Sequence, residues 1–151
     1  MARGHAVRGT TRDPTNREAI EAVGAEAVIG DPDRVVTLAP AFDHVAVAYV
    51  LLGSARADGA HASARLSALH GPRLEMLLLR MLDTTVRGIV YEAWGSVERR
   101  VLEAGGERVR AFCEDSRIPY VLLKTDPCDV GSWLKSAASA AERVLVARQP
   151  G

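Results

Sequence analysis

The run Val45-Ala46-Val47-Ala48-Tyr49-Val50-Leu51-Leu52 is apolar at every position and stops at Gly53. It is far shorter than the roughly 18 apolar residues that read as a membrane span. Without a polar alternate it has no face to give to water, so it predicts a strand covered on both sides. Parallel strands flanked by helices have that environment, and the run therefore points to an α/β fold.

The rest of the chain agrees in rhythm. Short β-like runs are expected at His5–Thr10, Ala25–Gly30, Gly88–Ala93 and Pro119–Lys124. Between them, Ala19, Ile20 and Val23 mark one helix, with Thr15 or Asn16 as its cap and Gly24 as its stop. Leu74, Leu77, Leu78, Met81, Leu82 and Val86 recur at helical spacing after Gly71-Pro72, and Trp133 to Leu145 form a final amphipathic stretch. A short turn through Val35, Leu38 and Phe42 is interrupted by Pro40, and residues 54–67, small and polar, read as a loop. The helix from Ser96 is expected to break at Gly105-Gly106 and resume through Val109, Phe112 and Cys113. Strands alternating with helices imply βα units, a parallel sheet and ligands beyond the carboxyl ends of the strands.

Composition narrows the function classes. The 151 residues suit a single domain, 1–151, and 48% hydrophobic residues suffice for a core. Lys plus Arg and Asp plus Glu are both 19, so the basic excess of a nucleic-acid or membrane-surface binder is missing. Two cysteines cannot make a disulfide framework or a four-cysteine zinc site, and His44, His61 and His70 lack zinc spacing. The first residues carry no signal-peptide core, which makes the cytoplasm the expected address. Arg99-Arg100 and Arg108-Arg110 interleave with glutamates as solvated helix faces.

In order and spacing, several stretches resemble the NAD(P)-binding short-chain dehydrogenase/reductases, in particular the atypical, epimerase-like branch. They are residues 4–13, ending in Thr10-Thr11-Arg12-Asp13; residues 24–31, ending in Asp31; His44 to Ser54; Val86 to Ala93; and Ser116 to Leu123. The resemblance implies a Rossmann-like parallel sheet and an NADP cofactor. It also exposes a gap. Such domains begin with a strand and a glycine-rich turn at a helix N-terminus, where the pyrophosphate sits. No Gly-x-Gly-x-x-Gly occurs in the sequence. In the strand order 3-2-1-4-5-6 the missing strand is the central one. Either the reading frame starts upstream and this is a fragment, or the second strand pairs directly with the fourth, or another chain covers the edge as a homo-oligomer. Weak or absent dinucleotide binding is expected of the chain as written.

The resemblance places Arg12 at the adenosine 2′-phosphate, with Thr10 and Thr11 adding hydroxyls, against the plainer reading of a solvated arginine in a turn. Asp31 is similar to a residue that contacts the adenine amino group, though a turn-former before Pro32, which Asp-Pro chemistry alone explains, is the favoured reading. Gly53 and Ser54 end the central strand where the nicotinamide ribose would lie. The usual Tyr-x-x-x-Lys pair is matched only by Tyr120 and Lys124, which a strand separates by roughly 13 Å. The usual serine position holds Ala93 or Trp94, and Ser96 reads as a helix cap. The remaining acid–base candidates are Tyr91 and Glu92, set against a core tyrosine and a surface glutamate. Two functions follow: an NADP-preferring atypical oxidoreductase, or a non-catalytic dinucleotide sensor or protein-interaction module on the same fold.

Overall fold

The computed structural model describes residues 4–147. Five strands form: β1 (Arg8–Thr11), β2 (Glu26–Ile29), β3 (Val47–Val50), β4 (Gly88–Glu92) and β5 (Tyr120–Leu123). All pair in parallel, in two sheets, β1-β2 and β3-β4-β5. Direct pairing of β1 with β3, one of the expected ways to close the gap, does not occur. The helices are α1 (Arg17–Ala22), α2 (Ala62–Leu69), α3 (Pro72–Leu82), α4 (Arg99–Ser116) and α5 (Val130–Ala147). This is the expected Rossmann-like α/β arrangement, with a helical layer on each face.

β4 is the centre of the larger sheet and is buried at every position. Ile89 and Tyr91 turn to one face, where Leu74, Leu77, Leu78 and Met81 of α3 and Val109 and Cys113 of α4 cover them. Each such burial contributes roughly 1.5–3 kcal/mol. Val90 turns to the other face, against Ala140 and Val144 of α5. Burial pushes the Cys113 thiol up to about 12, so this cysteine is a small core hydrophobe.

A 3-10 segment, Val35–Phe42, runs through Pro40 without a break and buries Val35, Leu38 and Phe42 in the main core. It touches β1, β2 and α3, so it joins the two sheets on one face. Arg8 fastens the junction: its guanidinium donates to the carbonyls of Ala41 at 3.2 Å and Asp43 at 2.8 Å, and to Glu26 at 3.0 Å.

Several sequence expectations need correction. The loop expected over 54–67 gives way at Ala62 to α2, where alanine, leucine and arginine supply helix propensity although only Leu69 is buried. The helix α4 passes unbroken through Gly105 and Gly106. Ser96 does not cap α4; Glu98 stands at that position without a side-chain cap bond. Asn16 precedes α1 but makes no cap bond either, while the Asp13 side chain caps the short 3-10 turn Pro14–Asn16. Among the described residues, no helix is long and apolar enough to cross a membrane and no cluster could hold a metal ion.

Candidate functional site at the carboxyl ends of the strands

The chain leaves β3 through Leu52, Gly53 and Ser54, and leaves β4 through Ala93, Trp94, Gly95 and Ser96. These two exits cross in backbone contact. The Val97 N–H donates to the Gly53 carbonyl at 3.0 Å, and the Ser96 N–H to Ser54 Oγ at 3.3 Å. Both glycines are required by space. A Cβ on Gly95 would overlap the Gly53 carbonyl, and one on Gly53 would overlap the Trp94 carbonyl and lie 2.8 Å from Glu92 Cγ.

Glu92 closes this crossing from below. The sequence reading of a surface glutamate fails, because the side chain is 4% exposed. As the last residue of β4 it turns towards α5, where its two oxygens find separate donors. Oε1 accepts from the Gly53 N–H at 2.8 Å and Oε2 from the Trp133 indole N–H at 3.0 Å. Burial raises the carboxyl above its ordinary range, and the two N–H donors oppose that rise. The result is a buried acid held at the strand ends.

Tyr91, the other acid–base candidate, is fully buried. Its hydroxyl lies 2.6 Å from Nδ1 of His70, whose Nε2 lies 2.9 Å from the Leu52 carbonyl. A carbonyl only accepts, so Nε2 carries the hydrogen and Nδ1 accepts from the phenol. Burial lowers the His70 pKa and raises that of Tyr91, which leaves both groups neutral. With no exposed surface, Tyr91 cannot touch a substrate; the pair positions the end of β3 against β4. His70 was passed over in the sequence because its partners lie 18 and 21 residues away and no periodicity links them.

This geometry has a pH signature. The folded-state pKa of His70 lies below its ordinary 6.5. Its contribution to stability is therefore complete above that value and is lost as the pH falls through the window beneath it. Glu92, raised above 4.5, acts with the opposite sign in a window that opens upward from 4.5. The two effects oppose one another in sign. The expected result is that His70→Gln unfolds at lower urea than the native chain at neutral pH, and that the difference shrinks on acidification towards pH 5. A difference independent of pH would show that His70 is not held neutral.

The other group of sequence candidates sits past β1 and β2, whose adjacent parallel pairing brings their ends together. Thr10 is exposed. Thr11 Oγ1 is engaged with the Asp13 backbone at 3.1 Å, and the Asp31 carboxylate accepts from the Asp33 N–H at 2.9 Å. Hydrogen bonds from Thr15 hold the Asp13 carboxyl below its usual range. Arg12 is different. Its side chain is 54% exposed, and its nearest charged partner is Asp33, at 3.7 Å. The structure thus forms two clusters, Thr10, Thr11, Arg12 and Asp31 in one and Gly53, Ser54, Tyr91 and Glu92 in the other.

Neither a protein-family model nor a curated protein sequence matches the chain. Solved structures do match its fold. A protein crystallised as gox2253 is 19% identical, with a TM-score of 0.67 over 82% of this chain and 44% of its own. The triphenylmethane reductase of a Citrobacter species, complexed with NADP(H), is 20% identical, with a TM-score of 0.58 over 78% of this chain and 39% of its own. A carbonyl reductase from Pseudomonas aeruginosa PAO1, in complex with NADP, is 16% identical, with a TM-score of 0.67 over 96% of this chain and 83% of its own. The chain spans less than half the length of the first two. At these identities the likeness is one of fold.

Proposed function

We propose that this chain is an NADP(H)-binding domain of an oxidoreductase, a role supported most directly by Arg12. Its guanidinium stands just past the end of β1, beside the end of β2, more than half exposed and weakly paired. A planar fork in that place suits the dianionic 2′-phosphate that distinguishes NADP from NAD. The carboxyl ends of strands are also where ligands of open parallel sheets bind. Two of the solved structures with this fold hold the same cofactor, which agrees with the reading.

The second cluster fits the nicotinamide end. Gly53 and Gly95 let the exits of β3 and β4 pack backbone against backbone, which fixes the rim that a nicotinamide ring would meet. Ser54 carries a hydroxyl at the rim and Glu92 a buried carboxyl beneath it. The bound nicotinamide would supply or accept hydride. The chain's own part is to orient it, between the Ser54 hydroxyl and the Glu92 carboxyl that the Gly53 and Trp133 N–H groups hold in place.

The protein's two tryptophans, Trp94 and Trp133, both lie at this end of the sheet. Their fluorescence therefore reports on a nicotinamide arriving there. Binding is expected to be weak, because no Gly-x-Gly-x-x-Gly turn occurs in the sequence, and titration to high concentrations of NADPH and NADH should quench it, with NADPH the tighter ligand. Arg12→Ala should weaken NADPH by roughly tenfold to a hundredfold, the worth of a charge-assisted pair at about 1.5–3 kcal/mol, and leave NADH almost unchanged. Equal losses for the two would remove Arg12 from the 2′-phosphate, and no quenching by either would overturn the function.

A further inference from the structure

The bend that follows β2, Asp31-Pro32-Asp33-Arg34, is braced from three sides. Pro32 fixes its own φ, and the Asp31 carboxylate closes the bend by accepting from the Asp33 N–H at 2.9 Å. The backbone closes it again: the Arg34 N–H donates to the Asp31 carbonyl at 2.8 Å, and the two residues pair as an antiparallel bridge. Thr37 then ties it to the 3-10 segment. Its hydroxyl accepts from the Asp31 N–H at 2.7 Å and donates to the Arg34 carbonyl at 2.7 Å.

The two carboxylates of this bend have different tasks. That of Asp31 is engaged within the turn, whereas Oδ2 of Asp33 lies 3.7 Å from Nη1 of Arg12, across the ends of β1 and β2. Asp33 is the less exposed partner, at 32% against 54%, and it stands on the braced bend. Arg12 is the long, mobile one. An exposed pair of this kind contributes at most about 1 kcal/mol to the fold. Its larger effect falls on a third charge brought to the same guanidinium.

We infer that Asp33 sets the cofactor preference of this site by holding down its affinity for NADP(H), an inference that rests on the proposed role of Arg12. A phosphate oxygen bonded to a guanidinium lies about 3 Å from it. The Asp33 carboxylate is 3.7 Å away on that same guanidinium, so the two anions would stand well inside the roughly 10 Å over which charges act in 0.1 M salt. The dianion must displace Asp33 from Arg12 and then remain beside a like charge. The braced backbone beneath Asp33 cannot shift to relieve that repulsion. The uncharged 2′-hydroxyl of NAD meets neither cost. Asp33 therefore opposes the phosphate that Arg12 attracts, and the preference of the native chain is the difference between the two effects.

Asp33→Asn tests this, because the amide keeps the shape of the side chain and removes its charge. In titration calorimetry the variant should bind NADPH about three- to tenfold more tightly than the native chain and NADH equally, within about twofold. The gain should shrink as sodium chloride is raised from about 0.02 M to about 0.5 M. Asp115→Asn, which removes the same charge near the far end of α4, should alter neither affinity. Suppose that the native chain prefers NADPH and that Arg12→Ala abolishes the preference. An Asp33→Asn variant that then binds NADPH no more tightly, gains equally for NADH, or keeps its gain in high salt overturns this inference alone. A native chain that binds neither nucleotide, or an Arg12→Ala variant that loses both equally, overturns the role of Arg12 and this inference with it.

Discussion

Gly105→Ala should destabilise the fold by roughly 2–4 kcal/mol, even though alanine is the better helix former by about 1 kcal/mol. The new methyl would overlap the Tyr91 hydroxyl and lie 2.9 Å from its Cζ. Tyr91 has no room to retreat, because it is fully buried and its hydroxyl is bonded to His70 at 2.6 Å. Relief requires α4 to move off the sheet or the buried hydrogen bond to break, and either one loses packing or leaves His70 Nδ1 without a donor. The neighbouring glycine is the control. A Cβ on Gly106 would meet Leu122 at 3.5 Å, an ordinary contact, so Gly106→Ala should be neutral or stabilising. In the Tyr91→Phe background, Gly105→Ala should lose a large part of its penalty, because the hydroxyl it overlaps is gone and only the 2.9 Å approach to Cζ remains. Urea unfolding of the four variants completes the double-mutant cycle, and additive effects would mean that Gly105 and Tyr91 do not meet as described.

Those two glycines also mark where reading the sequence stops. Side by side in a helical pattern, they predict a break, since propensity penalises both. The helix runs through because one of them makes room for a phenol from a strand that precedes it in the chain. Propensity is local; the need for the hole is not. The strands were legible for the opposite reason. Val45–Leu52 is apolar throughout and Gly88–Ala93 is apolar but for Glu92, and such runs read as strands without knowledge of a partner. β4 is buried at every position, whereas β3, expected to be covered on both sides, leaves Tyr49 exposed. Their observed limits are shorter by a few residues, as the exits turn to build the site.

The candidate site was legible in part. Arg12, Asp31, Gly53 and Ser54 stand at strand ends, and strand ends can be located from pattern alone. Glu92 was read as a surface residue because a charged side chain closing an apolar run is usually solvated. Its actual place depends on two N–H donors, Gly53 and Trp133, 39 and 41 residues away in the chain. His70 is hidden in the same way. Buried polar groups are satisfied by partners that only the completed fold brings near, and no described buried side-chain polar atom lacks one here.

Gly95→Ala is the substitution expected to damage the site most. Its Cβ would overlap both the carbonyl carbon and oxygen of Gly53 and lie 2.7 Å from Ser54 Oγ. The first two are backbone atoms, so no rotamer change relieves the clash, unlike the overlap of Gly88 with the Val144 side chain. The exits of β3 and β4 must separate instead. Separation breaks the bonds from Val97 to Gly53 and from Ser96 to Ser54, and strains the one from Gly53 to Glu92. With two or three hydrogen bonds at about 1 kcal/mol each and overpacking of about 1–3 kcal/mol, the loss of stability should reach roughly 3–6 kcal/mol. Gly131→Ala, whose Cβ meets nothing within 4 Å, should be harmless and serves as the control. The variant separates two explanations for this glycine. If the crossing only terminates strands, Gly95→Ala that still folds in the cold should bind NADPH as the native chain does. If it forms the nicotinamide side of the site, quenching of Trp133 by NADPH should be lost under those conditions, while circular dichroism confirms that the sheet remains.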